Sequence, residues 1–391
     1  MKEWIAQKAQ ELYPKLVETR RDLHRHPELG YEEVRTSRIV ADWLTELGLE
    51  VQTGIARTGV VGRLRGGRPG KTVALRADLD ALPIQDLKTC DYASQVPGKM
   101  HACGHDAHTT IVLGAATMLS ELREQLAGDV LFIFQPAEEG PGGAAPMIEA
   151  GVLDGVDMAF GIHMAPVAPV GIVGVSPGPV MASADEFRVT IRGIGGHAAY
   201  PHMALDAIPI AAQVVIALQQ IVSRAVDPAQ TAVLSIGTIQ GGTKSNVIAD
   251  SVELTGTVRT FDPLLREELP KRIDSIIGGI TAGFGAEYEL DYQFKYPVLI
   301  NHVEAASLMR EVGVELLGEG RVLDVPPQMS GEDFAYFLQK VPGCFTFLGC
   351  KHPEPLVADY NVHHPAFDID ERVLPLGVQL LTAGVLTYLS R

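Results

Sequence analysis

The 391-residue sequence is poor in aromatics, at 6% with two tryptophans, in cysteine, with four, and in basic residues, with 32 Lys and Arg against 48 Asp and Glu. The balance, 32 − 48 = −16, comes with no Lys/Arg cluster, which argues against nucleic acid or an anionic membrane surface as a partner. Cys90, Cys103, Cys344 and Cys350 contain no CxxC pair, so a disulfide framework, a zinc ribbon and a dithiol redox motif are all excluded. No run approaches the roughly 18 to 20 uninterrupted apolar residues of a membrane span. The opening segment, Met1 to Gly30, is charged and amphipathic and lacks the apolar stretch and cleavage site of a signal peptide. A cytoplasmic location is therefore expected. What remains, 46% hydrophobic and 20% charged with 40 Gly and 25 Pro, is the composition of a globular α/β protein long enough for two domains.

The first part of the chain alternates short β-branched runs with helical periodicity, the pattern of a mixed sheet with helices on both faces. Residues 60–64, 72–76, 130–135 and 158–163 are the strand candidates. A helix is expected to begin near Asp106, as N-cap, with apolar positions Ile111, Val112, Ala115, Met118, Leu119 and Leu122. From about Ala184 the order becomes strand, helix, strand, strand, helix, strand, over 186–192, 207–223, 232–240, 247–259, 263–282 and 287–296. The alternation Phe187, Val189, Ile191 and the candidate N-cap Asp206 suggest an inserted α+β domain with a four-stranded antiparallel sheet. The expected division is 1–182 for the first part of the main domain, 183–298 for the insert and 299–391 for the return, with helices near 302–317 and 371–390 and a strand around 344–349.

Eight of twelve histidines fall in four short clusters: His101, His105 and His108; His163; His197 and His202; His363 and His364. Among them His105 and His163, with Cys103 and the adjacent acids Glu138 and Glu139, on separate loops at strand ends, form a ligand mixture suited to Zn²⁺ or a similar borderline ion. The helix start beside Cys103 is expected to lower its thiol pKa. Glu138 and Glu139 cannot point the same way on extended backbone, so one is expected to bind metal and the other to serve as general base toward the bound water. In Asp78-Leu79-Asp80 the two acids are expected on one face, and Asp80 is the candidate to accept the spare N–H of a metal-bound imidazole. His197, preceded by Gly195 and Gly196 and lying in the insert, is the candidate to polarise a scissile carbonyl.

These motifs resemble the M20 metallopeptidase family, in its branch of N-acyl-amino-acid amidohydrolases, hippurate hydrolases, thermostable carboxypeptidases and auxin-conjugate hydrolases. The similarity runs from Arg20-Arg-Asp-Leu-His-Arg-His-Pro-Glu-Leu-Gly30 to His363-His-Pro-Ala-Phe-Asp-Ile-Asp370. It implies two divalent metal ions per subunit and an inserted lid domain that often serves for dimerisation, hence a homodimer or homotetramer. It also implies Cys103, His105, Glu139, His163 and His363 as metal ligands, with Cys103 bridging, Glu138 as general base, His197 reaching the substrate, and Asn246 and Arg259 at the substrate carboxylate. An Arg suits that task through its bidentate fork. Most of the wider family has a His-x-Asp strand end and a bridging aspartate where this chain has Asp78-Leu-Asp80 and Cys-Gly-His, the variant of this branch. Zn²⁺ is the first choice of metal, with Co²⁺, Mn²⁺ or Ni²⁺ as alternatives. In the tandem pair His363 is preferred over His364 as ligand.

The expected activity is hydrolysis of an N-acyl-L-amino acid to a carboxylic acid and a free amino acid. Carboxypeptidase action on short or blocked peptides and deacetylation of an N-acetylated diaminopimelate precursor are the alternatives. A non-catalytic metal- or peptide-binding scaffold would have no use for Glu138. A base deaminase is excluded by the absence of its H-x-E and P-C-x-x-C pair.

Overall fold

A computed structural model of the chain describes residues 1–354 and 360–391. The chain divides into two compact units, the first comprising Met1–Gly178, Ile300–Pro326 and Tyr336–Arg391 and the second Pro179–Leu299 and Pro327–Ala335.

The first unit is built on an eight-stranded mixed sheet. Strands β1 (Glu50–Ile55), β2 (Gly59–Leu64), β3 (Arg68–Asp78), β4 (Ala127–Gln135) and β5 (Met158–Ala165) lie in the order β1-β2-β4-β3-β5, followed by Gly343–Gly349 and two short strands. β3 runs parallel to both β4 and β5, so their C-terminal ends emerge together, and Gly343–Gly349 continues the parallel set beside β5. Gly343–Gly349 and the C-terminal parts of β3 and β4 are buried because both faces are covered. Helices α1 (Lys2–Arg25), α2 (Val34–Glu46) and α3 (His105–Glu121), with Val303–Leu317 and Val373–Leu389, supply the rest of a single core around Phe132, Phe134, Phe160, Ile111 and Leu381.

Helix α3 is capped two residues earlier than expected. Its N-cap is Gly104 in the left-handed region, φ 91°, and Asp106 lies in the first turn. Asp106 is instead the floor of a buried ion-pair network. Its Oδ2 lies 3.0 Å from Arg20 Nε and 2.6 Å from His24 Nδ1, both on α1. Arg20, fully buried, also donates to Asp368 Oδ1 at 3.0 Å and reaches Glu371 at 3.4 Å, so one guanidinium ties α1, α3 and the segment before the last helix together.

The second unit has a four-stranded antiparallel sheet in the order Ala232–Gly241, Ser251–Thr260, Ala184–Arg192, Glu287–Tyr296. Phe187, Val189 and Ile191 point into its core, under helices Ala207–Gln220 and Pro263–Phe284. Asp206 caps the first helix by accepting from Ile208 N at 3.1 Å, and Asp262 caps the second from Leu264 and Leu265. The expected continuous strand over 247–259 is broken. Val247–Ile248 pairs with Gly196–His197, because the carbonyls of Ala249 and Asp250 are taken by Ala207 N and Gly193 N. Part of the expected return segment also belongs here: Gln328 and Ser330 carbonyls accept from Ala182 N, and the Met329 carbonyl from Arg259. The segment Ala207–Ala225 is long and apolar enough by length and composition to cross a membrane, but Ile210, Ala211, Val214 and Leu218 pack inside this unit.

Removing the hub of the buried network takes away the one charge shared by the Asp106, Asp368 and Glu371 carboxylates. Arg20→Met is expected to lower stability by about 3–5 kcal/mol, read by denaturant unfolding. Burial pushes the Asp368 carboxyl up, but Arg20 and Lys88 outweigh it and hold the group below its ordinary range. Its stabilisation is complete above the unfolded carboxyl value of about 3.9 and is lost as pH falls through the lower folded value. Asp368→Asn should therefore lower the melting temperature clearly at pH 7, and the gap should narrow below about pH 4. A gap independent of pH would refute the ion-pair account.

Candidate metal centre

The ends of three parallel strands deliver most of the groups. β3 ends on Asp78 and continues to Asp80, β4 ends on Gln135 just before Glu138 and Glu139, and β5 carries His163. After Pro136 the chain turns sharply at Ala137, whose φ of 55° is left-handed although the residue is not glycine. Such strain of about 1–3 kcal/mol persists only where the surroundings enforce it. Here the buried Glu33 accepts from Ala137 N at 2.9 Å and from the Thr58 hydroxyl at 2.6 Å. Asp80 then receives the next two amides, Glu138 N on Oδ1 at 3.0 Å and Glu139 N on Oδ2 at 2.9 Å. The same Oδ1 accepts from His105 Nδ1 at 3.2 Å.

Cys103 and His105 flank Gly104, where a Cβ would meet Met164 Cγ at 2.8 Å, so glycine permits both the left-handed turn and the close approach to β5. Cys103 Sγ lies 3.4 Å from His163 Nε2, and His163 Nδ1 donates to the Met164 carbonyl at 2.8 Å. His363, itself at φ 66°, donates its backbone N–H to the Ala102 carbonyl at 2.7 Å, and its Nε2 reaches Glu139 Oε1 at 3.0 Å. His364 points elsewhere, stacked on Tyr360 at 4.0 Å.

Whether these groups fit a metal ion is decided by their charge and by an orphaned atom. His105 Nε2 is buried without a hydrogen-bond partner, yet faces Asp78 at 3.7 Å and Glu138 and Glu139 at 4.0 Å. A neutral ring with its proton on Nδ1 would aim a lone pair at three carboxylates. Burial disfavours the imidazolium, but Asp78 and Asp80 outweigh it and push His105 up to about 10. The site demands positive charge, which bound cations supply. Potential ligand atoms lie within 4.8 Å of one another in the sets Cys103, His105, His163; Cys103, Glu139, His363; and His105, Glu138, Glu139. Cys103 is common to two sets. The residues fit.

The expected depression of the Cys103 thiol is reversed. Burial, together with the Glu139 and Glu138 carboxylates, pushes it well above its ordinary value, and this outweighs the helix N-terminus. Asp78 plays a different part from Asp80: it accepts from Arg76 Nη1 at 2.8 Å and from His108 Nδ1 at 2.7 Å. His108 and Glu33 were not singled out among the sequence candidates. The three-residue spacing of His108 from His105 on one helix face was a signal for the first, whereas nothing in Tyr31-Glu-Glu33 marks a buried carboxylate.

In the second unit, His197 and Asn246 are neighbours across the short Gly196–His197 and Val247–Ile248 pairing. Both line an open cleft of about 850 Å³ together with Thr243 and Gly242. Arg259 is not among its lining residues, and its Nη1 donates to the Met329 carbonyl at 2.9 Å.

Residues 74–387 match the model of peptidase family M20/M25/M40. The chain belongs to that family. It is similar to the N-acetylcysteine deacetylase of Bacillus subtilis, 42% identical over 94% of this chain and 95% of the relative, and to thermostable carboxypeptidase 2 of Saccharolobus solfataricus, 42% identical over 93% and 92%. The crystal structure of a dinuclear metal-binding peptidase of family M20 from Bacillus subtilis superposes with a TM-score of 0.85 at 38% identity, covering 97% of this chain and 99% of that one. The M20 chain described here is a metal-dependent amide hydrolase.

To hold a metal ion, Cys103 and His105, both pushed toward the protonated form in its absence, would each have to give up a proton. Loading metal-free protein with Zn²⁺ at pH 8 should release about two protons per chain from these groups, and about one fewer in Cys103→Ala. Titration calorimetry in buffers of different ionisation enthalpy measures this, and equal release from both proteins would contradict the assignment.

Proposed function

We propose that this enzyme hydrolyses the amide bond of N-acyl-L-amino acids, releasing a carboxylic acid and the free amino acid. A deacetylase of N-acetylcysteine and a carboxypeptidase share one bond type, an amide whose nitrogen belongs to an α-amino acid with a free carboxylate, and both names occur among similar proteins. The observation that carries the reading is the placement of the paired acids: Asp80 holds both backbone amides and both side chains stand 4.0 Å from His105 Nε2, while Glu139 is in addition engaged by His363 at 3.0 Å.

Two divalent ions per chain, Zn²⁺ by preference of the thiolate with Co²⁺, Mn²⁺ or Ni²⁺ as substitutes, would be held by Cys103, His105, Glu139, His163 and His363. When bound they supply Lewis acidity and lower the pKa of coordinated water to about 7. Glu138 takes the proton of the attacking water and returns it to the departing nitrogen, so that the C–N bond breaks to an amine and an acid. His197 is assigned to the carbonyl oxygen, Asn246 and Arg259 to the substrate carboxylate. The carbonyl contact already made by Arg259 leaves part of its fork for that purpose.

We also propose a homodimer or homotetramer formed through the second unit. The Ala207–Ala225 segment is only 33% buried, Ile208 and Ile216 are exposed on it, and the edge strand Ala232–Gly241 exposes Ile239. An edge strand with an apolar helix beside it invites a second copy. Four free cysteines support a reducing, cytoplasmic setting.

Glu138→Gln should keep its metal content while turnover of N-acetyl and N-benzoyl amino acids falls by about 10² to 10⁴. Near-normal kcat at full occupancy would sink the base assignment, and faster turnover of dipeptides than of acyl amino acids would favour the carboxypeptidase reading. Ile216→Glu should shift the sedimentation coefficient toward the monomer.

A further inference from the structure

His108 is fully buried on α3, one helical turn after His105, and the reaction described above makes no use of it. Its ring packs beside both candidate ligand imidazoles, with centroids 5.4 Å from His105 and 4.8 Å from His163. Both of its nitrogens are engaged. Asp78 Oδ1 is 2.7 Å from Nδ1, and Nε2 accepts the Met164 N–H at 2.9 Å. An amide can only donate, so Nε2 carries no proton and Nδ1–H is the donor to Asp78. The partners therefore fix the tautomer.

We infer that His108 is a positioning residue of the metal centre: it grips the Met164 amide beside His163 and so aims the His163 ring, without binding metal itself. The inference rests on the metal reading above. Met164 is held at both ends, its N–H by His108 and its carbonyl by the His163 Nδ1–H at 2.8 Å. With Nδ1 turned to that carbonyl, His163 Nε2 is left toward Cys103 Sγ, 3.4 Å away. The far end of the chain is anchored as firmly. Arg76 Nη1 donates to Asp78 Oδ2 at 2.8 Å, and the Thr109 hydroxyl donates to the Asp78 carbonyl at 2.7 Å. The sequence of contacts Arg76, Asp78, His108, Met164, His163, Cys103 thus runs from the buried end of β3 to a ligand pair. Asp78, His105 and His108 also come within 4.8 Å of one another, but this is no further ion site. An ion on Nε2 would displace the Met164 amide, and an ion on Nδ1 would displace Asp78.

The test uses Co²⁺ as probe on metal-free protein, because its visible absorption reports ligand geometry and thiolate contact directly. His108→Leu removes both hydrogen bonds. His108→Gln keeps a donor and an acceptor on one side chain, and His108→Asn, too short to span both partners, stands in for Leu should that variant fail to fold. Expected are Co²⁺ binding weakened about 10- to 100-fold in the Leu and Asn variants, the range for groups that orient a metal ligand, with a shifted spectrum and unchanged stoichiometry at saturation. Gln should return affinity and spectrum close to wild type. A wild-type spectrum and affinity in Leu and Asn overturns the inference, as does equal impairment of Gln and Leu that follows the thermal stability of the metal-free proteins, which is the behaviour of a mere filler. Loss of one ion per chain would make His108 a ligand and overturn it too. Failure of the wild-type protein to bind Co²⁺ at all would instead overturn the metal reading itself.

Discussion

The centre depends on one buried carboxylate. Asp80 accepts from the His105 ring and from the backbone amides of Glu138 and Glu139, so a single group sets the angle of one imidazole and the position of the acid pair that faces it. Because its contacts to the acids run through their backbone, both acid side chains stay available for chemistry. Around Asp80 the site gathers the carboxylates of Asp78, Glu138 and Glu139, the first two of them buried. Such a concentration of negative groups is tolerable only against positive charge. The protein supplies little of it locally, Arg76 being committed to Asp78, and this is the physical sense in which the fold is completed by metal.

Behind the centre lies a second polar network with a different task. Arg20, His24, Asp106 and Asp368 bring the first helix, the helix that opens on the ligand motif and the segment after His363 to one point. Lys88 closes it through His24 Nε2 and the Phe367 carbonyl. Residues far apart in the chain thereby fix where Cys103 and His363 start. Each ion pair is buried, so the network contributes registration more than net stability, since the cost of drying the charges offsets most of their attraction.

Much of this was legible from residue order alone, and the reasons are local. Period-two alternation placed Phe187, Val189 and Ile191 in a core, Asp206 announced its cap, and clustered His, Cys and acid at the ends of apolar runs announced groups that the fold brings together. What the sequence does not disclose is long-range pairing. Asp106 has the appearance of a cap because capping is a local rule, whereas its partners are 82 and 86 residues away. The Cys103 thiol was assigned a lowered pKa from its helix, but its electrostatics are set by carboxylates from another strand end. Glu33 holds Ala137 from 104 residues upstream, and no spacing rule connects the two.

The central claim is that Cys103 serves as a thiolate ligand shared within a centre of two ions. X-ray absorption at the Zn edge of the Zn²⁺-loaded wild-type protein, with metal and protein quantified in the same sample, tests this most directly. It predicts two Zn²⁺ per chain and a sulfur scatterer at about 2.3 Å beside nitrogen and oxygen at about 2.0–2.2 Å. A single ion per chain, or a coordination shell of nitrogen and oxygen without sulfur, would contradict it.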